Sequence, residues 1–477
     1  MYKSRSYKYL ILAGICLSIT SCKIPAIVQP VENKTVPGVY VNSTDTTNMA
    51  TTQWRNFFTD KNLVNLIDTA LKNNQELMIT LQEIEMAKND IRARKGQLLP
   101  TIGGKIGLGV EKVGRYTSQG AGDASTEIEP GKEMPDPLMD YAAVLTANWE
   151  VDIWKKLRNA KKAAVTRYLS TVEGKNFVLS NLIAEVANSY YELIALDNQL
   201  EVVKQNIELQ KSALEIVKIQ KEASRVTELA VQKFKAEMLN SESLEFEIQQ
   251  KVTETENKIN LLLGRYPQDI PRDKGNFSNL VPALVRSGIP SQLLINRPDV
   301  KKAELELMAA KLDVKVARAE FYPSFSISAA LGFQAFKPSY LVKLPESMLY
   351  SLAGDLAGPL INRNGIKAEF LNANSRQIQA MYNYQRTILN AYMEVSTQLS
   401  NVGNLEKSYD LKSKEVQALA KSTDISNDLF KSARADYLEV LMTQRDAFAA
   451  KLELIETRKK QLNAVTSIYQ NLGGGWK

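Results

Sequence analysis

The stretch Phe325-Ser326-Ile327-Ser328-Ala329-Ala330-Leu331-Gly332-Phe333-Gln334 alternates with a period of two. Phe325, Ile327, Ala329, Leu331 and Phe333 fall on one side, and Ser324, Ser326, Ser328, Ala330 and Gln334 on the other. Successive side chains of a strand point to opposite faces, so the pattern predicts a strand over about 324–335 with one apolar and one polar face. Ile102, Gly104, Ile106, Leu108 and Val110 alternate in the same way with Thr101, Gly103, Lys105, Gly107 and Gly109, which predicts a strand over about 101–110. Tyr141, Ala143, Leu145, Ala147 and Trp149, set against Ala142, Val144, Thr146 and Asn148, predict another over about 141–149.

Outside these strands the spacing is helical. Leu63, Leu66, Ile67, Ala70 and Leu71 recur on one helix face behind Asp60, which can cap the first turn, and Leu77, Leu81, Ile84, Ala87 and Ile91 follow. From Leu157 to Leu263 there is no Pro and a single glycine, Gly174. One helix of that length would reach ~160 Å at 1.5 Å per residue, so a fold-back near Glu222 to Glu228 is expected, giving two arms of ~75 Å. Five prolines between Gly264 and Pro298 then mark a connector.

The pattern restarts after the connector. A single offset places Val300 on Leu77, Ala310 on Ala87, Pro323 on Pro100 and Gly332 on Gly109 without a gap, which is an internal repeat. Beyond the first hairpin loop, which is the longer of the two, a smaller offset places Leu352 on Leu145 and predicts a fourth strand over about 347–358. The expected organisation is a first repeat over 54–290, with a helical hairpin over about 155–263, and a second over 291–477, with a helical hairpin over about 365–472.

The N-terminus carries Lys3, Arg5 and Lys8 ahead of an apolar run from Tyr9 to Ile15, as in a bacterial export signal over 1–21. Ile19-Thr20-Ser21-Cys22 resembles a lipobox, which makes Cys22 the expected lipidation site and 22–53, with Pro25, Pro30 and Pro37, a lipid-anchored tether with order beginning at Trp54. Cys16 and Cys22 are the only cysteines, so the mature chain has no internal disulfide. Removing the three signal cations from the formal charge of +7 leaves +4, with both signs interspersed, so no nucleic-acid partner is expected.

A strand with one apolar face and one Ser, Thr, Asn, Gln, Lys and Gly face suits a wall between lipid and water, and about ten tilted residues span a bilayer. The same alternation would serve two hairpins packed on a soluble core. Four strands cannot close a barrel, and an open edge in hydrocarbon leaves backbone groups unpaired at several kcal/mol each. In a membrane the edges must therefore pair with further copies, giving strand counts in multiples of four.

With Asn74 and Leu77, Leu99-Pro100, Trp149-Glu150-Val151-Asp152-Ile153-Trp154, Pro290-Ser291, Leu293-Leu294, Arg297-Pro298-Asp299-Val300, Ala303-Glu304, Phe321-Tyr322-Pro323, Tyr437-Leu438-Glu439-Val440-Leu441 and Gly473-Gly474-Gly475-Trp476, the chain resembles the TolC-like outer-membrane factor family. Within it the likeness is to the lipoprotein branch serving resistance-nodulation-division efflux pumps. The resemblance implies an α+β membrane protein, internally duplicated, acting as a homotrimer. Its four strands per chain would join a shared twelve-stranded transmembrane β-barrel, and its long helical hairpins a trimeric α-barrel reaching into the periplasm. It further implies export of drugs or other small molecules, a periplasmic membrane-fusion adaptor and an inner-membrane pump as partners, and outer-membrane lipid around the barrel. Matched to the family's periplasmic entrance, Glu439 takes the acidic ring position, and Thr227 with Glu228 the polar pair on the first tip. Glu222 and Ala433 stand where a tip glycine is usual, and Ala435 where some members place a gate-holding Arg.

The absence of histidine removes His-based triads and most zinc catalysis, and the glycines at 103, 104, 107 and 109 lie within a strand rather than in a phosphate loop. No enzyme activity, cofactor or metal is expected. Two alternatives stay open: a lipid-tethered periplasmic coiled-coil scaffold or adaptor, which leaves the strands unexplained, and the outer-membrane channel of a type I secretion system.

Overall fold

Among the described residues six strands form, β1 (Thr101–Glu111), β2 (Glu127–Glu129), β3 (Lys132–Glu133), β4 (Leu138–Val151), β5 (Ser324–Ala335) and β6 (Met348–Ala357). They belong to a computed structural model that describes residues 24–26, 31–40, 46–275, 277, 280, 284–359, 363–432 and 434–476. The chain divides into two units: Met86–Tyr168 with Leu305–Met381 in one, and Glu32–Glu85, Leu169–Glu304 and Tyr382–Lys477 in the other.

The first unit is built on an antiparallel sheet in the order β1-β4-β5-β6. Its register keeps the period-two pattern in phase across every strand. Ile102, Ala147, Ala329 and Leu352 lie in one cross-strand row, while Gly103, Thr146, Ala330 and Ser351 form the adjacent row on the opposite face. β4 begins three residues before Tyr141 because Leu138, Met139 and Asp140 pair with Glu111, Val110 and Gly109. At Gly332 a Cβ would stand 2.3 Å from the Ala143 carbonyl oxygen, so the β4–β5 approach requires glycine there.

The β1–β4 connection carries a short helix, Ser118–Ser125, and the β2–β3 hairpin. At the other end of the sheet, where the strands meet their helices, Phe321 packs edge-on against Phe370 within a cluster of Val314, Ala317 and Ala373, joined by Ile24. There Trp154 stacks on Tyr322 with centroids 4.7 Å apart and donates its indole N–H to the Pro323 carbonyl.

The second unit is helical. Helices Lys156–Glu222 and Asn364–Lys431, of which this unit holds the residues from Leu169 and from Tyr382 onward, run for 67 and 68 residues, and their return helices, Glu228–Leu262 and Tyr437–Asn471, for 35 each. The expected equal arms of ~75 Å are therefore corrected to unequal ones of ~100 and ~50 Å. Asp60 caps helix Lys61–Asn73, accepting from the Asn62 and Leu63 amides, and also accepts the Tyr190 hydroxyl. The Asn74 side chain accepts from the Leu77 amide and donates to the Leu262 carbonyl, which pins the start of helix Gln75–Gly96 to the end of helix Glu228–Leu262.

Arg297 is buried with its guanidinium forked onto both oxygens of Asp299 (2.9 and 2.7 Å). It also donates to Glu394 at 2.8 Å and to the Asn471 carbonyl at 3.1 Å. Gly473, at φ +90, lets the C-terminal turn press on the Asn296 carbonyl, and Trp476 then donates its indole N–H to that same oxygen. These motif residues therefore act as clamps of the helical unit.

The tether expectation needs correction over its described part. Order does not begin at Trp54: Tyr40 is buried and stacked on Tyr392, Lys34 pairs with Glu304 at 2.7 Å, and Asn48, Met49 and Ala50 are buried. A few large side chains anchor a Thr/Asn-rich segment that has no periodicity to announce them. Cys22 and Ala433 lie outside the described residues.

Candidate functional site

Two regions carry the chemistry expected of a conduit, and each is built within its own unit. In the sheet, one face presents Ile102, Ile106, Leu108, Leu145, Leu331, Tyr350, Leu352 and Leu356 to the outside. Ile106 is 92% exposed and Leu352 78%, so no described helix or second sheet covers them. In water such a face is unfavourable at roughly 25 cal/mol per Å² of apolar surface, and the row-by-row register makes it continuous, so it is a surface made to be covered. The opposite face carries Lys105, Thr146, Asn148, Ser326, Ser328, Ser351 and Asp355 among glycines and alanines, and also the larger apolar Val144 and Leu349. Neither outer edge, on β1 or on β6, pairs with another described strand. Among the described residues no helix is long and apolar enough to cross a membrane.

The helical unit brings the two hairpin tips together. Leu214, Val217, Ala230, Val231 and Phe234 from the first hairpin enclose Leu441 from the second, with Val226, Met238 and Tyr437 around them. This places Thr227 and Glu228 in the same tip region as Glu439. Thr227 is the N-cap residue of helix Glu228–Leu262 without a side-chain cap bond. Glu228 is engaged within its own chain, 2.5 Å from the Lys221 ammonium and accepting from the Gln232 amide. The Lys221 bond first, then Gln232, hold its carboxyl below the ordinary carboxylate range. Glu439 is exposed and its carboxylate pairs with none of the described residues; its amide is taken by Asp436, which caps helix Tyr437–Asn471. Asp436 is a cap that sequence reasoning missed, although Asp followed by a helical run is the signal for one.

The first tip also corrects the expectation about glycine. Glu222 is the last helical residue, and the left-handed position falls at Ser224, with φ +59. The Ser224 amide donates to Lys221 and the Arg225 amide to Gln220, the paired bonds of a glycine-type C-cap closed by serine at a cost of about 1 kcal/mol. At the second tip the Arg434 amide donates to Leu429, the equivalent bond. No group of three or more Cys, Asp or Glu able to hold a metal occurs among the described residues.

A sheet apolar on one side, polar on the other and open at both described edges thus stands in a chain of long helical hairpins. The model of the outer membrane efflux protein family matches residues 66–265 and 289–474. The pyoverdine export outer membrane protein OpmQ of Pseudomonas aeruginosa is 27% identical over 89% of this chain and 88% of its own. The cation efflux system protein CusC of Escherichia coli O6:H1 is 26% identical over 97% and 98%. The open-state MtrE channel of Neisseria gonorrhoeae superposes with a TM-score of 0.83 at 21% identity, covering 95% of this chain and 98% of that one. The chain belongs to the outer membrane efflux protein family, and is an outer-membrane channel component of a tripartite efflux system.

Proposed function

We propose that three copies of the chain close β1 onto β6 of a neighbour, forming a twelve-stranded barrel whose apolar face meets lipid and whose polar face lines a water-filled lumen. The observation that carries this is the unbroken apolar face ending at two unpaired strand edges. The helical hairpins continue the conduit as a periplasmic tunnel, to which a membrane-fusion adaptor and an inner-membrane pump deliver drugs or other small molecules. The two repeats, 54–290 and 291–477, supply equivalent halves of the wall, and 1–21 is the export signal. Cys22 is the lipid attachment site; Cys22→Ser should abolish labelling by a fatty-acid analogue, and full labelling of that variant would refute it.

Glu439 forms the acidic ring of the entrance, with Thr227 and Glu228 on the facing tip. Because Glu228 is already paired with Lys221, the uncompensated charge of this ring comes from Glu439. Three carboxylates crowded into a narrow ring repel one another and attract cations. In planar bilayers the resting channel should favour cations and be blocked by a trivalent cation. Glu439→Ala should weaken both properties, while Glu453→Ala, whose side chain is paired with Lys412 away from the tip, should leave them unchanged. A Glu439→Ala channel blocked like the parent would show that the ring lies elsewhere.

A further inference from the structure

The β5–β6 turn differs in kind from the β1–β4 connection. Between β1 and β4 the chain carries Asp123, Glu127, Glu129, Glu133 and Asp136 against Lys112, Arg115 and Lys132. The β5–β6 turn carries Lys337 and Lys343 against Glu346 alone. Both ammonium groups lie over one ring, 5.8 Å and 4.6 Å from the Tyr340 centroid, and Lys337 is also 5.9 Å from that of Phe336. Phe336 and Tyr340 meet edge-to-face at 5.4 Å.

The arrangement is held from below. Ser347, buried, donates its hydroxyl towards the Leu341 and Lys343 carbonyls, and the Lys343 amide donates to Tyr340. Beside the two lysines the turn exposes Val342 (81%) and Leu344 (62%). The turn stands at the rim of the apolar sheet face, directly after the Phe333–Met348 pair and at the sheet end opposite the helical junctions.

Resting on the barrel proposed above, we infer that this turn is a contact for the anionic, phosphorylated glycolipid of the outer leaflet. Lys337 and Lys343 take the headgroup phosphates, Tyr340 and Phe336 sit at the headgroup level, and Val342 and Leu344 reach the acyl chains. Charge complementarity at the edge of a lipid-covered face supports this contact. At the rim of an apolar band the neighbours of a side chain are headgroups, aromatic rings belong at that level, and long cationic side chains extend to it. Two ammonium groups gathered on one ring set cationic donors side by side for phosphates, and a charge-assisted bond to phosphate is stronger than a neutral one. The acidic β1–β4 connection repels the same headgroups, which concentrates the contact on this turn.

The test uses the full chain purified in detergent and incubated with bisphosphorylated lipid A, with the same lipid after dephosphorylation, and with inorganic phosphate as competitor, bound lipid being counted by native mass spectrometry. The parent should retain the bisphosphorylated lipid, and the Lys337→Gln/Lys343→Gln double variant should bind it about tenfold more weakly or worse. Both should treat the dephosphorylated lipid alike, and a Lys315→Gln/Lys367→Gln control should match the parent. Equal retention by the parent and the turn variant overturns the inference, as does displacement of the lipid by inorganic phosphate, which would mark a free-anion site. Extraction of membranes with urea reads the barrel separately. A parent protein released by urea would sink the barrel itself, whereas a urea-resistant protein indifferent to lipid phosphates would sink only this contact.

Discussion

Ile327→Lys is expected to prevent assembly of the channel, while Ser328→Lys, one residue along the same strand, is expected to leave it intact. Ile327 lies opposite Trp149 on β4 and Gly354 on β6, within the apolar face, whereas Ser328 lies opposite Asn148 and Ala353 on the polar face. A lysine pointing into hydrocarbon costs about 2–4 kcal/mol near the midplane of a barrel and less near its rims. In a homotrimer that cost enters three times, so even its lower end is comparable with the whole stability of many domains. In the barrel proposed above, Ser328→Lys places its ammonium in the lumen beside small side chains, where it stays hydrated. The measurement is the fraction of heat-modifiable oligomer recovered from outer membranes. Near-wild-type recovery of Ser328→Lys with loss of Ile327→Lys is the expected pair of results. Equal damage from both would mean that the two faces are alike in their surroundings, as in a sheet buried inside a soluble assembly.

That contrast could be written from the alternation alone, because the period of a strand is local and each of its faces is set by the side chains it carries. The helices were legible for the same reason, as was the fold-back near Glu222 to Glu228. What stayed hidden depends on partners distant in sequence. Tyr40 is buried because Tyr392 offers a ring to stack on, and nothing within the N-terminal segment signals that. The left-handed residue of the first tip could not be placed because serine hides the glycine that usually marks it. Glu228 reads as a free acid at a turn, yet the turn itself swings the Lys221 ammonium onto it from the preceding helix. The place of Glu439 at a hairpin tip is legible, but the role proposed for it belongs to an assembly of copies rather than to one chain.

Arg297→Ala is the second large effect expected, and it concerns the scaffold rather than the conduit. The guanidinium is nearly inaccessible and satisfies Asp299, Glu394 and the Asn471 carbonyl at once, joining three segments far apart in sequence. Removing one member of a buried ionic cluster leaves the others without compensation, at about 3–5 kcal/mol. Asp299 and the Asn471 carbonyl would lose their partner in the interior, while Glu394, about half exposed, would turn to water. Arg297→Lys should recover only part of the loss, since an ammonium cannot fork onto both oxygens of Asp299 while reaching the other two acceptors. Arg55→Ala is the reference, because the Arg55–Asp68 pair is solvent-exposed and such pairs contribute about 0–1 kcal/mol. Thermal unfolding of the detergent-solubilised protein, followed by helical circular dichroism, should rank the variants Arg297→Ala, Arg297→Lys, Arg55→Ala in order of decreasing loss. An Arg297→Ala protein that melts with Arg55→Ala would mean that its neighbours rehydrate freely, and that Arg297 is not a clamp of the helical unit.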